Sequence, residues 1–500
     1  MPRVSPEEQA ALRTQLMRFI ASANIPFVVV DNVEFQKFCT MMRGPTFHLP
    51  DRHTISDGLL PQLYGALESK FRHVTKGRNA TMAMDGWSDA KNDPTLGYGV
   101  TVEEKSWLYD LHDTIGERHT IENMVPHAKE KIKDLRDKYE AKVRTVVVDN
   151  ATNMAGMRRD LIEEQLKDLE SAMDELKLTT DTIEKDQKER QVQHLRDNLL
   201  VDAYGCSAHL LNLCGQDVSE SSTINSVVTV AKYFRNTHAP KSWLLDIGLP
   251  RPPLPGETRW NLVADTLEWF IDHWGPLNQQ MQIHGGDKTI LRLLENIMLK
   301  RNAWDLLHLA KELGVNLDRV QRDGCNIAEA CEIWLTLGNT AIIKNNAKAK
   351  KSIADRSAIV FQSGSFFAAN LMDPRYNGKL LNATQTRKAI EFITRQLGLR
   401  YPETKDQYVA GLMKFVANGP PLPFTSDTKP SHWWTTCGKL DYFHTDLVSF
   451  GCMLLESAAS SAGLERCFST TKWVQSSLRN GLCIEKVKML TFCARLLRAK

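Results

Sequence analysis

Two aspartates stand where apolar, extended stretches of the chain stop. Asp85 ends the run Ala83-Met84-Asp85-Gly86-Trp87-Ser88, and Asp149 ends Val146-Val147-Val148-Asp149-Asn150. If these stretches are neighbouring parallel strands, both carboxylates emerge at one carboxyl edge, the usual place for a site in an open α/β sheet. Carboxylate oxygens are the ligands that hard divalent cations require. A pair of Mg²⁺ ions roughly 3.5–4 Å apart can clamp the attacking and leaving oxygens of a phosphodiester. Taken singly, each residue also reads as an Asp that caps the turn ending its strand. A third group, Cys206-Ser207-Ala208-His209, offers half the ligands of a zinc site with no second Cys/His pair nearby, so on spacing alone a core thiol and a hydrogen-bonded histidine account for it. The sequence contains no GxxxxGK[ST] loop, GxSxG elbow or HExxH helix, which weakens nucleotide-hydrolase, serine-hydrolase and zinc-protease readings.

The two aspartates need a sheet to position them. Residues 81–84 and 97–103 read as extended, and 144–148 is a β-branched run. A charged helical pattern over 124–142 separates the last two, giving strand, strand, helix, strand, an order that permits a parallel pair. Helical spacing over 6–23 and 59–73 makes the first 75 residues a small helical region. Residues 158–198, dense in Glu, Lys, Asp and Gln, read as a solvated helical excursion without a functional role. From 210 to about 445 the pattern is mostly helical, broken at 250–255 and 420–423 by prolines, with no internal repeat.

A chain of 500 residues predicts two to four domains, or one domain carrying a large insertion. Its 42% hydrophobic and 25% charged residues are ordinary for a globular protein. The net charge, 63 − 60 = +3, excludes a uniformly basic nucleic-acid binder, so any such surface is local. One local excess exists: over 466–500 there are eight Lys/Arg (Arg466, Lys472, Arg479, Lys486, Lys488, Arg495, Arg498, Lys500) against Glu485 alone. No apolar stretch is long enough to span a bilayer, and the first residues carry Glu7, Glu8, Arg13 and Arg18 in place of a signal peptide's apolar run. The expectation is an intracellular protein with its ten cysteines reduced. The cluster Lys344, Lys348, Lys350 and Lys351 reads as a solvated loop rather than an import signal.

The succession Met84-Asp85-Gly86-Trp87-Ser88, Val148-Asp149-Asn150-Ala151-Thr152-Asn153-Met154, Cys206-Ser207-Ala208-His209-Leu210-Leu211-Asn212-Leu213, Thr258-Arg259-Trp260 and Ser460-Ser461-Ala462-Gly463-Leu464-Glu465-Arg466-Cys467-Phe468-Ser469 resembles DNA transposases of the hAT superfamily. Leu371-Met372-Asp373-Pro374-Arg375-Tyr376 and Arg479-Asn480-Gly481-Leu482 resemble two further segments of that family, and the likeness runs over about residues 20–498. The resemblance implies an α/β fold with an RNase H-like core interrupted by a large all-α insertion. On that expectation 1–75 is the N-terminal helical region, 76–215 the first part of the core, 216–445 the insertion, and 446–500 the completion of the core with a dimerisation-type region.

The resemblance also implies a catalytic triad of Asp85, Asp149 and Glu465, the last one selected by the motif alone, holding Mg²⁺ or Mn²⁺ for cleavage and transfer of DNA strands. It places His209 beside the active site, gives Trp260 a base to stack on, and assigns DNA contacts to Arg259, Arg466 and Arg479. Its partners would be transposon ends and target DNA, with a homo-oligomer and, in a eukaryote, a nuclear location. Ile484, Val487, Leu490, Ala494 and Leu497 recur on one face of the last helix, either as a dimer surface or as internal core. The chain departs from the family in two places. No Cys/His quartet of BED-finger spacing precedes Asp85, and Gly481 replaces an Arg. The alternative expectation is therefore a transposase-derived DNA-binding or protein-interaction scaffold without strand transfer.

Overall fold

The computed structural model describes residues 4–44, 46–88, 93–218, 221–255, 261–475 and 481–498. Its described residues form a mixed α/β chain, predominantly helical, in two units. One comprises Met1–Cys206, Arg322–Ala328 and Ser363–Lys500, and the other Ser207–Gln321 and Glu329–Gln362.

The first unit is built on a five-stranded sheet. β1 (Asn79–Ser88), β2 (Pro94–Val102) and β3 (Lys105–Asp113) form an antiparallel meander, while β4 (Lys142–Val148) and β5 (Asp202–Gly205) add in parallel beyond β1, giving the order β3-β2-β1-β4-β5. Met82, Met84, Tyr98, Val100, Leu108, Val143, Val146, Val147 and Val148 are wholly buried in it. Long apolar runs are what a sheet covered on both faces demands.

Helices α1 (Pro6–Ala23), α2 (Val33–Arg43) and α3 (Leu60–Thr75) precede the sheet, and α2 buries none of its residues. The crossover from β3 to β4 is α4 (Ile121–Asp137). The helix expected over 124–142 stops at Asp137, since Glu140 takes a positive φ of 52° and Lys142 already pairs with Asn79 as the first residue of β4.

The charged stretch over 158–198 folds as α5 (Thr152–Leu178) and α6 (Thr182–Asn198). It is not purely solvated, because Leu169, Ala172, Val192 and Leu199 close a small core of their own against Met173, Leu176, Leu195 and Leu399.

The last helix, Ile484–Arg498, packs on α1, α3 and β3. Val487, Leu490 and Ala494 are buried there, and Phe492 meets Tyr64 and Phe71 at 5.0 and 5.5 Å. Of the two readings left open for this apolar face, internal core is the one observed.

The second unit is all-helical among its described residues. It opens with α7 (Ser207–Val218), whose Ser207 hydroxyl accepts the Trp334 indole N–H at 2.7 Å and whose Asp217 accepts both Ser352 Oγ at 2.8 Å and the Arg356 guanidinium. This division differs from an insertion over 216–445: the helices between 363 and 455 belong to the sheet-bearing unit.

Candidate active site

Parallel register brings the first two acids together. Met84 pairs with Val148, so Asp85 and Asp149 are the residues that follow the last paired position of two adjacent parallel strands. The corner after β4 is held by polar contacts. Asp149 Oδ1 accepts the Ala151 N–H at 2.9 Å, which starts the turn into α5 and leaves Oδ2 without a partner among the described residues. The buried Arg158 guanidinium donates to the Asp149 carbonyl at 2.7 Å. Asn150 reaches across to the Cys206 carbonyl at 3.0 Å, over Gly205, where a Cβ would stand 1.8 Å from Asn150 Oδ1. Only glycine leaves that crossing open.

The third acid arrives from far along the chain. Residues 456–461 are pinned to the sheet: Asn79 Nδ2 donates to Glu456 Oε2 at 2.8 Å, the Ala458 N–H to Thr81 Oγ1 at 3.0 Å, Tyr204 OH to the Ala458 carbonyl at 2.6 Å, and the Ser461 N–H to Cys206 Sγ at 3.4 Å. The helix Ala462–Val474 begins there and lies against β1, β2 and β3. It approaches closely because β2 is bare beneath it. A Cβ on Gly97 would stand 2.3 Å from the Phe468 ring, and one on Gly99 3.2 Å from Leu464 Cβ. Gly97 is the cross-strand partner of Asp85, and Trp87, on the same face as Asp85, stacks on Phe468 at 5.9 Å. Glu465, between Leu464 and Phe468, therefore stands over the Asp85 end of the sheet.

The electrostatics of Asp85 agree with this placement. Burial first, then the charges of Glu465 and Asp149, push the Asp85 carboxyl up to about 7, with the Gly86 N–H opposing. Burial and neighbouring like charges both raise a carboxyl in this way. Three carboxylates offer the oxygen donors that hard divalent cations take, although among the described residues the one set of ligand atoms that lie within 4.8 Å of one another is that of His112, Glu117 and His127.

His209, half-buried on α7, belongs to the second unit, while Arg259, Trp260 and Arg479 lie outside the described residues. Cys206 is a buried thiol engaged with Ser461, which is the core reading. Arg466 pairs with Asp323. Much of the C-terminal basic excess is used within the chain: Lys486 pairs with Asp57 at 2.6 Å, Lys488 with Asp110 at 2.8 Å, and Arg495 and Arg498 donate to the Ser106 and Ser22 carbonyls at 3.2 and 2.7 Å.

Trp473 was not among the expected residues. It is 73% exposed, two turns beyond Glu465 on the same helix, and with Ser469 and Lys472 it continues the outward stripe that Glu465 begins. The spacing 465, 469, 473 is the available signal, once Glu465 is known to sit on a helix. Comparison with protein-family models and with curated proteins returns no match for this chain.

Proposed function

We propose that this chain is a DNA strand-cleaving and strand-transferring enzyme of hAT-transposase type, with an RNase H-like core made by the five-stranded sheet and the helix Ala462–Val474. One observation carries the reading. The parallel register of Met84 with Val148 sets Asp149 beside Asp85, and the helix that bears Glu465, 465 − 85 = 380 positions beyond Asp85 in the chain, is seated on Gly97 and Gly99 of the same sheet. A purely structural acid acquires cationic partners, whereas this one acquires two more acids.

Asp85, Asp149 and Glu465 would hold Mg²⁺ or Mn²⁺, which when bound neutralises charge at a phosphodiester and favours attack by water or a DNA hydroxyl. Arg158 and Asn150 position Asp149 by fixing the corner that bears it. Lys472 supplies phosphate contact and Trp473 an exposed indole face on which an unpaired base stacks. DNA ends and target DNA are then the substrates, a nuclear location follows in a eukaryotic cell, and joining two ends calls for a homo-oligomer.

The test uses DNA carrying the cognate element ends. The purified chain cleaves or joins it in Mg²⁺ or Mn²⁺, and Asp149→Asn falls to background while keeping its circular-dichroism spectrum. The second reading is a transposase-derived DNA-binding or protein-interaction scaffold, and the internal pairing of Lys486, Lys488, Arg495 and Arg498 counts against its DNA-binding form. Salt-sensitive binding to those ends with no strand chemistry would select it and overturn the enzyme.

A further inference from the structure

On the opposite face of the same sheet, near the same edge, two histidines and a glutamate converge. Asp85, Gly97 and Leu111 stand opposite one another across β1, β2 and β3 and point toward the helix Ala462–Val474; the next row, Gly86, Leu96 and His112, points to the other side. There His112, near the end of β3, meets His127 on α4, with ring centroids 4.5 Å apart. Glu117 is folded back over them by a tight turn. Its N–H bonds the Thr114 carbonyl at 2.9 Å, Gly116 takes a φ of 82°, and Thr114 is fastened to the Pro94 carbonyl through both its N–H and its hydroxyl. Glu117 Oε2 lies 3.1 Å from His127 Nε2 and Oε1 lies 3.7 Å from His112 Nε2.

We propose that His112, Glu117 and His127 form a transition-metal site of the zinc class that clamps β3 to α4. One ligand atom from each residue lies within 4.8 Å of the others. An ion with bonds of roughly 2.0–2.1 Å in tetrahedral geometry holds its ligands about 3.3 Å apart, so side-chain rotations of about 1 Å close the set. His112 Nε2 is buried and makes no hydrogen bond among the described residues, an unmet valence that a metal would satisfy. Two imidazoles and one carboxylate suit Zn²⁺ or Co²⁺ and not Mg²⁺, which separates this site chemically from the all-carboxylate cluster. Glu117 is exposed, so the fourth position opens to water. The site is independent of the proposed strand chemistry and stands or falls without it.

The experiment titrates the full, EDTA-stripped chain with Zn²⁺ against a chromophoric chelator, and with Co²⁺ by visible absorption. The expected result is one site per chain with tetrahedral Co²⁺ bands and a Zn²⁺-dependent rise in melting temperature. His127→Ala should weaken binding by more than the roughly 10–100-fold that loss of a mere outer-shell partner costs, and Glu117→Gln should do so without removing any packing group. The doubly substituted Asp149→Asn, Glu465→Gln chain should bind Zn²⁺ as the unsubstituted chain does. Absence of stoichiometric binding, binding indifferent to Glu117→Gln, or binding lost in the doubly substituted chain would each overturn the site. If His127→Ala fails to fold, the Glu117→Gln titration decides alone.

Discussion

Asp85 and Asp373 both sit in motifs that look transposase-like, yet their surroundings are opposite. Asp373 has no exposed surface and is gripped by Arg375, whose Nε and Nη2 reach its two carboxylate oxygens at 3.0 and 2.7 Å, with the Arg375 N–H adding 2.9 Å. The Trp434 indole bonds the adjacent Met372 carbonyl at 2.7 Å. Asp85 instead faces Glu465 and Asp149. An acid with a bidentate cation is satisfied and holds a fold together. An acid crowded by two others stores repulsion that a divalent ion relieves. Motif likeness does not separate these roles; partners do.

Substitutions at the two acids should therefore act in opposite directions. Asp373→Ala removes the carboxylate that Arg375 grips and opens a hole where nothing is exposed, and it should cost about 1–3 kcal/mol of stability in the sheet-bearing unit, read by urea unfolding. Asp85→Asn should stabilise the metal-free protein, and the gain should depend on pH. The Asp85 carboxyl rises from an ordinary 3.8 to about 7, so between those values the folded state holds a proton that the unfolded state has lost, and folding weakens as pH climbs. The advantage of Asp85→Asn should thus be absent below about pH 4, grow by roughly 1.4 kcal/mol for each pH step of one across that window, and level off at several kcal/mol above about pH 7. A pH-independent difference would show that burial and the two neighbouring acids do not raise the Asp85 carboxyl.

Smaller effects sharpen the geometry. Gly97→Ala forces the Phe468 ring away and should cost about 1–3 kcal/mol, as overpacking does, while lowering strand cleavage more than DNA binding. Trp473→Ala should leave melting unchanged, since the ring is exposed, and weaken binding to single-stranded or unpaired DNA by about 1–3 kcal/mol in a fluorescence titration.

How much of this was legible beforehand differs between elements. β1, β2 and β4 announce themselves as apolar or β-branched runs; Asp149 directly follows β4, whereas β1 runs on past Asp85 to Ser88 and it is only the pairing with β4 that stops at Met84. β3 was missed because Lys105, Asp110, His112 and Asp113 interrupt its apolar pattern, and β5 because four residues carry too little periodicity. Glu465 is invisible to local reading. Its place depends on Gly97 and Gly99 lowering β2 and on residues 456–461 being pinned by Asn79, Thr81, Tyr204 and Cys206, contacts that span hundreds of positions. The basic tail misled in the other direction, since charge counts do not show that Asp57 and Asp110 face Lys486 and Lys488.

Mn²⁺ titration by calorimetry, in two buffers of different ionisation heat, decides whether the three distant acids make one cation site. Binding near pH 7 should be accompanied by proton release, as Asp85 gives up its proton, with both signals lost in Asp149→Asn and in Glu465→Gln. Mn²⁺ binding in Glu465→Gln with the affinity and proton release of the unsubstituted chain would contradict it.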